Sequence, residues 1–257
     1  EIILAKGYAA VQDADKGIKK LASENQDAEA LIVRSEKVTP EIMDMLPRLK
    51  LVVRAGAGFD NIDCKYARKK NVDVMNTQGA NANAVAEEVI AMMLSAYRHL
   101  LPADISTRAG EWEKKKFMGK ELTGKTVGIV GLGNIGRLVV KRLSGFEMKF
   151  LVYDPVLSAD MAEKLGVTIS SIEDIFSKSD FVTLHIPQTP ETKGFVNKKL
   201  LSTMKKGSVL VNCARAGIVN EDDLRALKKE KNLLFCTDVY PKDEPGMKSC
   251  ADIADIM

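Results

Sequence analysis

The amino-acid sequence predicts an α/β protein with two lobes, each built on a doubly wound parallel sheet and joined by a hinge. Short apolar segments alternate with segments of helical periodicity, the pattern of parallel strands linked by crossover helices. The chain has 257 residues, more than one average domain contains. Hydrophobic residues make up 46% and charged residues 28%, which is typical of a folded globular protein. We therefore expect two α/β lobes with enough apolar sequence for a core.

The first lobe is predicted over residues 1–78. Apolar runs and helical spacing predict strands over residues 2–5, 8–11, 30–33, 49–53 and 72–75, and a helix over residues 14–24. Thr39 followed by Pro40 predicts the start of another helix, with the threonine as N-cap. Lys6 and Gly7, which separate the first two strands, are too few for a parallel crossover. Either those strands form a hairpin or a βα unit is missing, so we expect a reduced or incomplete lobe.

The second lobe is predicted over residues 79–257. It begins with a long helix over residues 84–99, whose wide apolar face suits packing between domains or across a dimer. The predicted strands cover residues 126–130, 150–153, 181–184, 208–212 and 233–239, and the helices between them cover residues 134–145, 159–165, 197–204 and 221–229. Five strands with four intervening helices predict a doubly wound sheet. We expect a hinge near residues 76–82 to close the lobes over a ligand.

Composition and charge exclude several classes of function. The net charge is only +3, from 38 basic and 35 acidic residues, and no basic stripe suggests nucleic-acid binding. No apolar run reaches the roughly 18 residues that a membrane span needs. His99 and His185 are far apart in sequence, so no metal site is predicted. The cysteines are Cys64, Cys213, Cys236 and Cys250. They form no CxxC motif, which indicates reduced thiols in a cytoplasmic protein.

One glycine-rich turn carries the first functional signal. The sequence VGIVGLGNIG runs from a predicted strand through Gly131, Gly133 and Gly136 into a predicted helix. The first glycine permits a tight turn, the second lets backbone approach a pyrophosphate, and the third lets helix and strand pack closely. The start of the helix adds free N–H groups and the positive end of its dipole. This context predicts a Rossmann dinucleotide-binding site.

Asp154 strengthens that interpretation. It follows the next predicted strand, about 20 residues beyond the glycines, where a carboxylate accepts hydrogen bonds from ribose hydroxyls. A carboxylate there would repel a 2′-phosphate, so the sequence favours NAD over NADP. The alternative is a solvated aspartate at a strand end.

Three further segments follow predicted strands and so lie at the carboxyl edge of the sheet, where ligands bind. They are residues 184–192, 212–217 and 237–245. Arg215 and Glu244 are therefore expected to converge on the crevice that holds the nicotinamide. Small residues beside Arg215 leave room for a ligand: Ala214, Ala216 and Gly217.

These segments resemble the signatures of the NAD-dependent D-2-hydroxyacid dehydrogenase family. The resemblance extends from Leu31 to Pro245 and is carried by VGIVGLGNIG, LHIPQTPET, VLVNCARAGIVNEDDL and DVYPKDEP. It implies reversible hydride transfer from C2 of a D-2-hydroxy acid to NAD. It also implies a flavodoxin-like, substrate-binding first lobe and an NAD-binding second lobe. In this family Arg215 would bind the substrate carboxylate and polarise the C2 oxygen, which suits a permanently charged guanidinium.

The resemblance assigns Glu244 to holding the histidine that takes the C2 hydroxyl proton. No histidine follows Pro245 in this sequence, and Lys248 is too close to Glu244 to replace one. We therefore expect the base to lie beyond Met257. The alternative is an inactive protein.

By motif position, the resemblance implies substrate contacts at Arg54, Ala55, Gly56, Ala57 and Asn81. The cofactor contacts that it implies are Thr77, Gly131, Gly133, Asn134, Ile135, Gly136, Asp154, His185, Ile186, Pro187, Cys213, Ala214, Arg215 and Asp238. Arg54 opens the small-residue segment RAGAG, which suits an anion. Asp238 is expected at the nicotinamide carboxamide. Cys213 is expected to pack beside the cofactor rather than to act as a redox thiol.

Within the family, the chain most resembles the branch that oxidises 3-phospho-D-glycerate to 3-phosphohydroxypyruvate at the start of L-serine biosynthesis. The segments LIVRSEKVT, VVRAGAGFDNID, VMNTQGANANAVAEE and GEWEKKKFMGKEL carry this narrower resemblance. Two alternatives stay open: another family enzyme, such as a glyoxylate/hydroxypyruvate reductase or D-lactate dehydrogenase, and a non-catalytic NAD-sensing scaffold. We expect a homodimer through residues 84–99 and the neighbouring loop, with interdomain packing of that helix as the alternative.

Overall fold

A computed structural model describes residues 2–13, 15–239 and 252–257. The chain divides into two compact units, Glu1–Asn81 and Ala82–Met257. Both are α/β with parallel sheets, so the predicted fold class is confirmed.

The first unit holds a three-stranded parallel sheet in the order β1-β2-β3. Its strands are β1 (Ala30–Val33), β2 (Leu51–Arg54) and β3 (Asp73–Asn76). Its helices are α1 (Ile2–Ala5), α2 (Ile18–Glu24), α3 (Pro40–Asp44) and α4 (Cys64–Lys69). Helix α3 begins as predicted, because the Thr39 hydroxyl accepts a hydrogen bond from the Ile42 N–H at 3.4 Å and Pro40 occupies the first turn. Apolar residues of α3, β2 and their neighbours form the core, with Met43 and Val52 fully buried.

The start of this unit differs from the prediction. Residues 2–5 form a short helix instead of a strand, and residues 8–11 belong to neither a helix nor a strand. The two strands predicted here are therefore wrong, and the hairpin alternative is wrong with them. Ile3, Leu4, Tyr8 and Val11 are exposed, and apolar sequence alone does not make a strand where no neighbouring strand pairs with it.

The second unit holds a six-stranded parallel sheet in the order β6-β5-β4-β7-β8-β9. Its strands are β4 (Thr126–Val130), β5 (Lys149–Tyr153), β6 (Thr168–Ile169), β7 (Phe181–Leu184), β8 (Val209–Asn212) and β9 (Leu234–Thr237). Strand order reverses between β4 and β7, so the carboxyl ends of these two strands open a crevice for a ligand. Every residue of β7 and β8 is buried, as expected for central strands of a sheet covered on both faces.

Helices cover both faces of this sheet. They are α5 (Ala82–Arg98), α6 (Leu100–Arg108), α7 (Asn134–Leu143), α8 (Ala159–Leu165), α9 (Ile172–Lys178), α10 (Lys198–Thr203) and α11 (Glu221–Lys231). One apolar cluster includes residues of α5, α7 and α8, and another includes residues of α9, α10 and α11. The sheet thus has two separate hydrophobic layers.

The sequence predicted the central strands of this unit better than its edge. Strands β4 and β7 and helix α8 have the predicted bounds. Helices α6 and α9 and the two-residue strand β6 were not predicted. Both residues of β6 are exposed, so no alternation of apolar and polar residues marks this strand in the sequence.

Candidate active site

The glycine-rich turn links β4 to α7. Gly131 has φ +94°, and a Cβ atom there would lie 2.9 Å from the His185 carbonyl oxygen. A Cβ atom at Gly136 would lie 2.4 Å from the carbonyl oxygen of Gly131. The turn therefore requires glycine at both positions, for conformation at the first and for close packing at the second.

Gly133 is different, because no atom lies within 4 Å of the place a Cβ atom would take. It precedes α7 as the N-cap residue, and no side chain caps the helix there. The first N–H groups of α7 therefore face an open cradle, where the helix dipole favours an anion. A dinucleotide pyrophosphate fits this cradle. Gly133 and Asn134 are exposed on it, whereas Ile135 is half-buried and packs against the core.

Asp154 lies just beyond the carboxyl end of β5, beside the glycine-rich turn. One carboxylate oxygen accepts a hydrogen bond from the Leu132 N–H at 2.7 Å, and the other accepts one from the Val156 N–H at 3.0 Å. Asp154 also lines a cavity of about 240 Å³ that reaches Gly133. It therefore braces the turn and presents a carboxylate to the cavity where an adenosine ribose would lie.

Arg137 lines the same cavity and was missed by the sequence analysis. Its Nε donates to the Leu132 carbonyl oxygen at 3.1 Å, which places a positive charge at the turn. Its position directly after the third glycine of the motif is the sequence feature that could have identified it as a site residue.

His185 follows β7, and its backbone N–H donates to the Val130 carbonyl oxygen at 2.8 Å. Its Nε2 lies 3.1 Å from the Thr183 hydroxyl, whereas its Nδ1 is buried with no hydrogen-bond partner among the described residues. Burial lowers the pKa of the imidazole to about 4, so the ring is neutral at physiological pH. Ile186 is half-buried against the core, and Pro187 is exposed.

Arg215 is half-buried beyond the end of β8. Its Nη1 donates to the Ala214 carbonyl oxygen at 2.8 Å. Asn212, the last residue of β8, bonds the backbone of this turn through both atoms of its side-chain amide. Asn212 was not predicted as a site residue, because its role depends on contacts within the folded turn.

Cys213 and Asp238 follow β8 and β9, which are adjacent strands. Burial raises the pKa of the Cys213 thiol, and the neighbouring Asp238 carboxylate raises it further. The Cys213 sulfur lies 3.8 Å from the Met92 sulfur on α5. Partial burial raises the pKa of the Asp238 carboxyl, while the Cys213 thiol and the Arg215 charge act in the opposite direction. A buried, protonated thiol suits packing rather than redox chemistry.

Glu244, the predicted partner of a catalytic base, lies outside the described residues, as do Pro245, Lys248 and Cys250. Its predicted convergence with Arg215 therefore stays a prediction.

The predicted substrate residues belong to the first unit, where the loops after β2 and β3 meet. The Thr77 N–H donates to the Gly56 carbonyl oxygen at 3.1 Å. The Asn76 amide, which sequence analysis missed, donates to the Ala57 carbonyl oxygen at 2.6 Å. The Arg54 guanidinium lies across Gly56, at the place a Cβ atom would occupy.

The Arg54 Nε is buried and has no hydrogen-bond partner among the described residues. Ala55 is exposed beside it, and Asn81 is exposed at the end of the unit. These loops thus bring one arginine next to backbone of small residues, an arrangement that suits an anionic group.

The described part of the chain offers neither a metal-binding cluster nor a membrane-spanning helix. No group of three or more His, Cys, Asp or Glu residues there could hold a metal ion. None of the helices described is both long and apolar enough to cross a membrane.

Comparison with known proteins agrees with this geometry. The family profile described as "D-isomer specific 2-hydroxyacid dehydrogenase, NAD binding domain" matches residues 90–251, more than half of the chain. The chain is 41% identical over 234 residues to D-3-phosphoglycerate dehydrogenase of Methanocaldococcus jannaschii, covering 88% of this chain and 45% of that protein. It is 40% identical over 254 residues to D-3-phosphoglycerate dehydrogenase of Homo sapiens, covering 98% of this chain and 48% of that protein.

Among solved structures, the apo-structure of D-lactate dehydrogenase from Escherichia coli superposes with a TM-score of 0.84 at 28% identity. The superposition covers 95% of this chain and 78% of that chain. The chain spans about half the length of the curated relatives it matches.

Proposed function

The chain belongs to the D-isomer specific 2-hydroxyacid dehydrogenase family, and from this membership we propose that it serves the NAD-dependent oxidation of 3-phospho-D-glycerate to 3-phosphohydroxypyruvate. This reaction is the first step of L-serine biosynthesis. Because the chain spans about half the length of its curated relatives, the activity is proposed for the whole protein.

One observation carries the choice of substrate. Identity of 40% to a D-3-phosphoglycerate dehydrogenase extends over 98% of this chain, so it includes the Arg54 loop as well as the glycine-rich turn. The substrate carries a carboxylate and a phosphate, and the chain offers one arginine loop in each unit, at Arg54 and at Arg215. Guanidinium groups bind both kinds of anion through paired hydrogen bonds.

The cradle at Gly133 and the start of α7 hold the cofactor pyrophosphate, and Asp154 accepts hydrogen bonds from the adenosine ribose. The same carboxylate disfavours the 2′-phosphate of NADP. The chemistry that NAD would supply at this site is acceptance of the hydride released from C2 of the substrate, so that C2 would become a ketone carbon. Gly133, the start of α7 and Asp154 thus bind the pyrophosphate and the adenosine of the cofactor.

Arg215 binds the substrate carboxylate and polarises the C2 oxygen. Its half-buried position strengthens this electrostatic contact relative to one in bulk water. The C2 hydroxyl proton passes to a general base held by Glu244, a residue outside the described part of the chain.

A substrate panel tests the proposal. We expect the whole protein to reduce NAD with 3-phospho-D-glycerate much faster than with D-lactate or D-glycerate, measured by NADH absorbance. Arg215→Lys keeps the charge but loses the paired geometry, and should lower kcat/KM by about a hundredfold. Turnover of D-lactate alone would overturn the substrate assignment and favour the D-lactate dehydrogenase activity of the structural relative.

We propose that the protein is cytoplasmic and forms a homodimer, and that the dimer contact uses α6 and the loop that follows it rather than the apolar face of residues 84–99. The apolar face of α5 is not available, because Val89, Met92 and Met93 are buried within the second unit. Large apolar side chains are instead exposed nearby: Leu100, Leu101, Ile105, Trp112 and Met118. We name these five residues the α6 patch. We propose that these large apolar side chains, exposed within one short stretch of chain, mark an interaction surface.

A further inference from the structure

Asn212 is a buried polar residue at the carboxyl end of β8, with only 1% of its surface exposed. Its Nδ2 donates to the Arg215 carbonyl oxygen at 2.9 Å, and its Oδ1 accepts from the Ala214 N–H at 3.2 Å. Both ends of the amide are therefore satisfied by the turn that carries Arg215. A buried amide is retained at low energetic cost only when it is satisfied in this way.

The Arg215 side chain also stabilises the turn. The Arg215 Nη1 donates to the Ala214 carbonyl oxygen at 2.8 Å. The Ala214 N–H, the Ala214 carbonyl and the Arg215 carbonyl thus each have a defined partner. The direction of the guanidinium is therefore tied, through Asn212, to the buried end of a central strand.

A second contact joins this turn to the neighbouring strand. The Thr237 hydroxyl, which is fully buried at the end of β9, donates to the Asn212 carbonyl oxygen at 2.8 Å. The same hydroxyl accepts a hydrogen bond from the Val239 N–H at 3.2 Å. One hydroxyl group therefore couples the Arg215 turn to the backbone on both sides of Asp238.

From these contacts we propose that Asn212 is a positioning residue, which together with Thr237 aligns Arg215 with Asp238. The inference rests on the proposed function, in which Arg215 binds the substrate carboxylate, and on the expectation from the family resemblance that Asp238 lies at the nicotinamide carboxamide. Asn212 touches neither ligand and acts through the backbone of the turn. Asn212 thus holds the Arg215 guanidinium in register with the cofactor of the proposed function.

Binding measurements separate this role from general stability. The probe is 3-phospho-D-glycerate in the presence of NADH, a pair that cannot react because both are reduced. Asn212→Ala should weaken binding of 3-phospho-D-glycerate by about tenfold or more, since small misplacements of a binding group have effects of this size. The dissociation constant of NADH, followed by its fluorescence, should change by less than about twofold because the glycine-rich cradle is intact.

Asn197→Ala is the matched control, because Asn197 caps α10 through the Leu200 N–H at 3.3 Å and has no role in the proposed site. It should leave both dissociation constants unchanged. In an Arg215→Lys background, Asn212→Ala should add little further loss, because the two residues act as one unit.

A second pair of variants keeps the test valid if Asn212→Ala does not fold. Thr237→Val removes the hydroxyl at nearly constant shape and should weaken binding of 3-phospho-D-glycerate, whereas Thr237→Ser should restore it. Unchanged binding in Asn212→Ala and Thr237→Val would overturn the inference. Absence of 3-phospho-D-glycerate binding in the unmodified protein would instead overturn the proposed function.

Discussion

At the scale of single residues, three glycines of one motif have three different physical roles. Gly131 adopts a positive φ, Gly136 lies against a backbone carbonyl, and Gly133 borders open space. The sequence motif is uniform, but the consequence of adding one methyl group differs at each position. Stability and cofactor binding can therefore be separated by substitution within a single turn.

We predict that Gly136→Ala destabilises the protein by about 1–3 kcal/mol, because its Cβ would lie 2.4 Å from the Gly131 oxygen. Gly133→Ala should leave stability nearly unchanged but weaken NAD binding about tenfold, because the methyl group enters the cradle at close range. Urea denaturation and NADH fluorescence measure the two effects. Gly145→Ala, with no atom within 4 Å of its Cβ position, is the control and should change neither. Equal loss of stability at positions 133 and 136 would contradict this assignment.

His185 shows how burial of one residue makes stability depend on pH. Its ring lies with Nε2 at 3.1 Å from the Thr183 hydroxyl, and burial lowers the pKa of the ring from 6.5 to about 4. Between these values the unfolded chain binds a proton that the folded chain does not. Stability from this residue is therefore fully present above about pH 6.5 and is lost as the pH falls toward 4.

We predict that His185→Gln reduces the loss of unfolding free energy between about pH 7 and pH 4.5 by about 2 kcal/mol relative to the unmodified protein. Urea denaturation at a series of pH values measures the difference. Because other groups titrate identically in both proteins, the comparison isolates His185. Parallel pH profiles for the two proteins would show that the imidazole is not buried in neutral form.

At the scale of secondary-structure elements, the close contact between β4 and α9 leaves no room for a side chain at Gly128 of the central strand. A Cβ atom at Gly128 would lie 2.5 Å from the Ser179 hydroxyl oxygen and 2.7 Å from Cγ2 of Ile175. Ser179 is fully buried, and its hydroxyl has no hydrogen-bond partner among the described residues. Glycine at position 128 thus permits the close approach of helix and strand. The Ser179 hydroxyl at this contact has no hydrogen-bond partner among the described residues.

We predict that Ser179→Ala stabilises the protein by about 1 kcal/mol, because it removes a buried hydroxyl without a partner. Ser177→Ala, on the helix that ends just before Ser179, is the control, since the half-buried Ser177 hydroxyl already has a partner in the Glu173 carbonyl oxygen and its loss should change stability little. Thermal or urea denaturation measures both. A clear loss of stability in Ser179→Ala would show that the hydroxyl has a hydrogen bond in solution.

At the scale of the whole molecule, the second unit has the strand order of a doubly wound sheet, whereas the first has three parallel strands in consecutive order. The segments of the second unit that are proposed to bind ligand therefore follow strands that end at the same edge of the sheet. The α6 patch of the same unit presents large apolar side chains to solvent. Its proposed occupant is a second copy of the chain.

We predict that Ile105→Lys in the α6 patch weakens dimerisation by about tenfold or more, because a charge is placed in an apolar contact. Trp112→Ala should have the same direction of effect. Ile169→Lys, on the exposed edge strand β6, is the control and should leave the association constant unchanged. Sedimentation equilibrium measures it. A dimer unaffected by both patch variants would place the interface elsewhere.

The sequence alone determined those features whose signal is local. The run of apolar residues in β4, the glycines after it and the aspartate after β5 predict a dinucleotide site, because turn conformation and strand burial depend on neighbouring residues. The Thr39–Pro40 start of α3 was predictable for the same reason. So was the family, since its signatures are continuous segments.

Only the tertiary structure decided features that depend on residues distant in sequence. Residues 2–5 and 8–11 are apolar enough for strands, but no strand of the described residues pairs with them, so they form no sheet. The coupling of Asn212 to Thr237 requires β8 and β9 to lie side by side. Likewise, the neutral state of His185 follows from the burial of its ring in the folded unit. Pairing, burial and hydrogen bonding between separate segments are properties of the folded chain, and no local pattern encodes them.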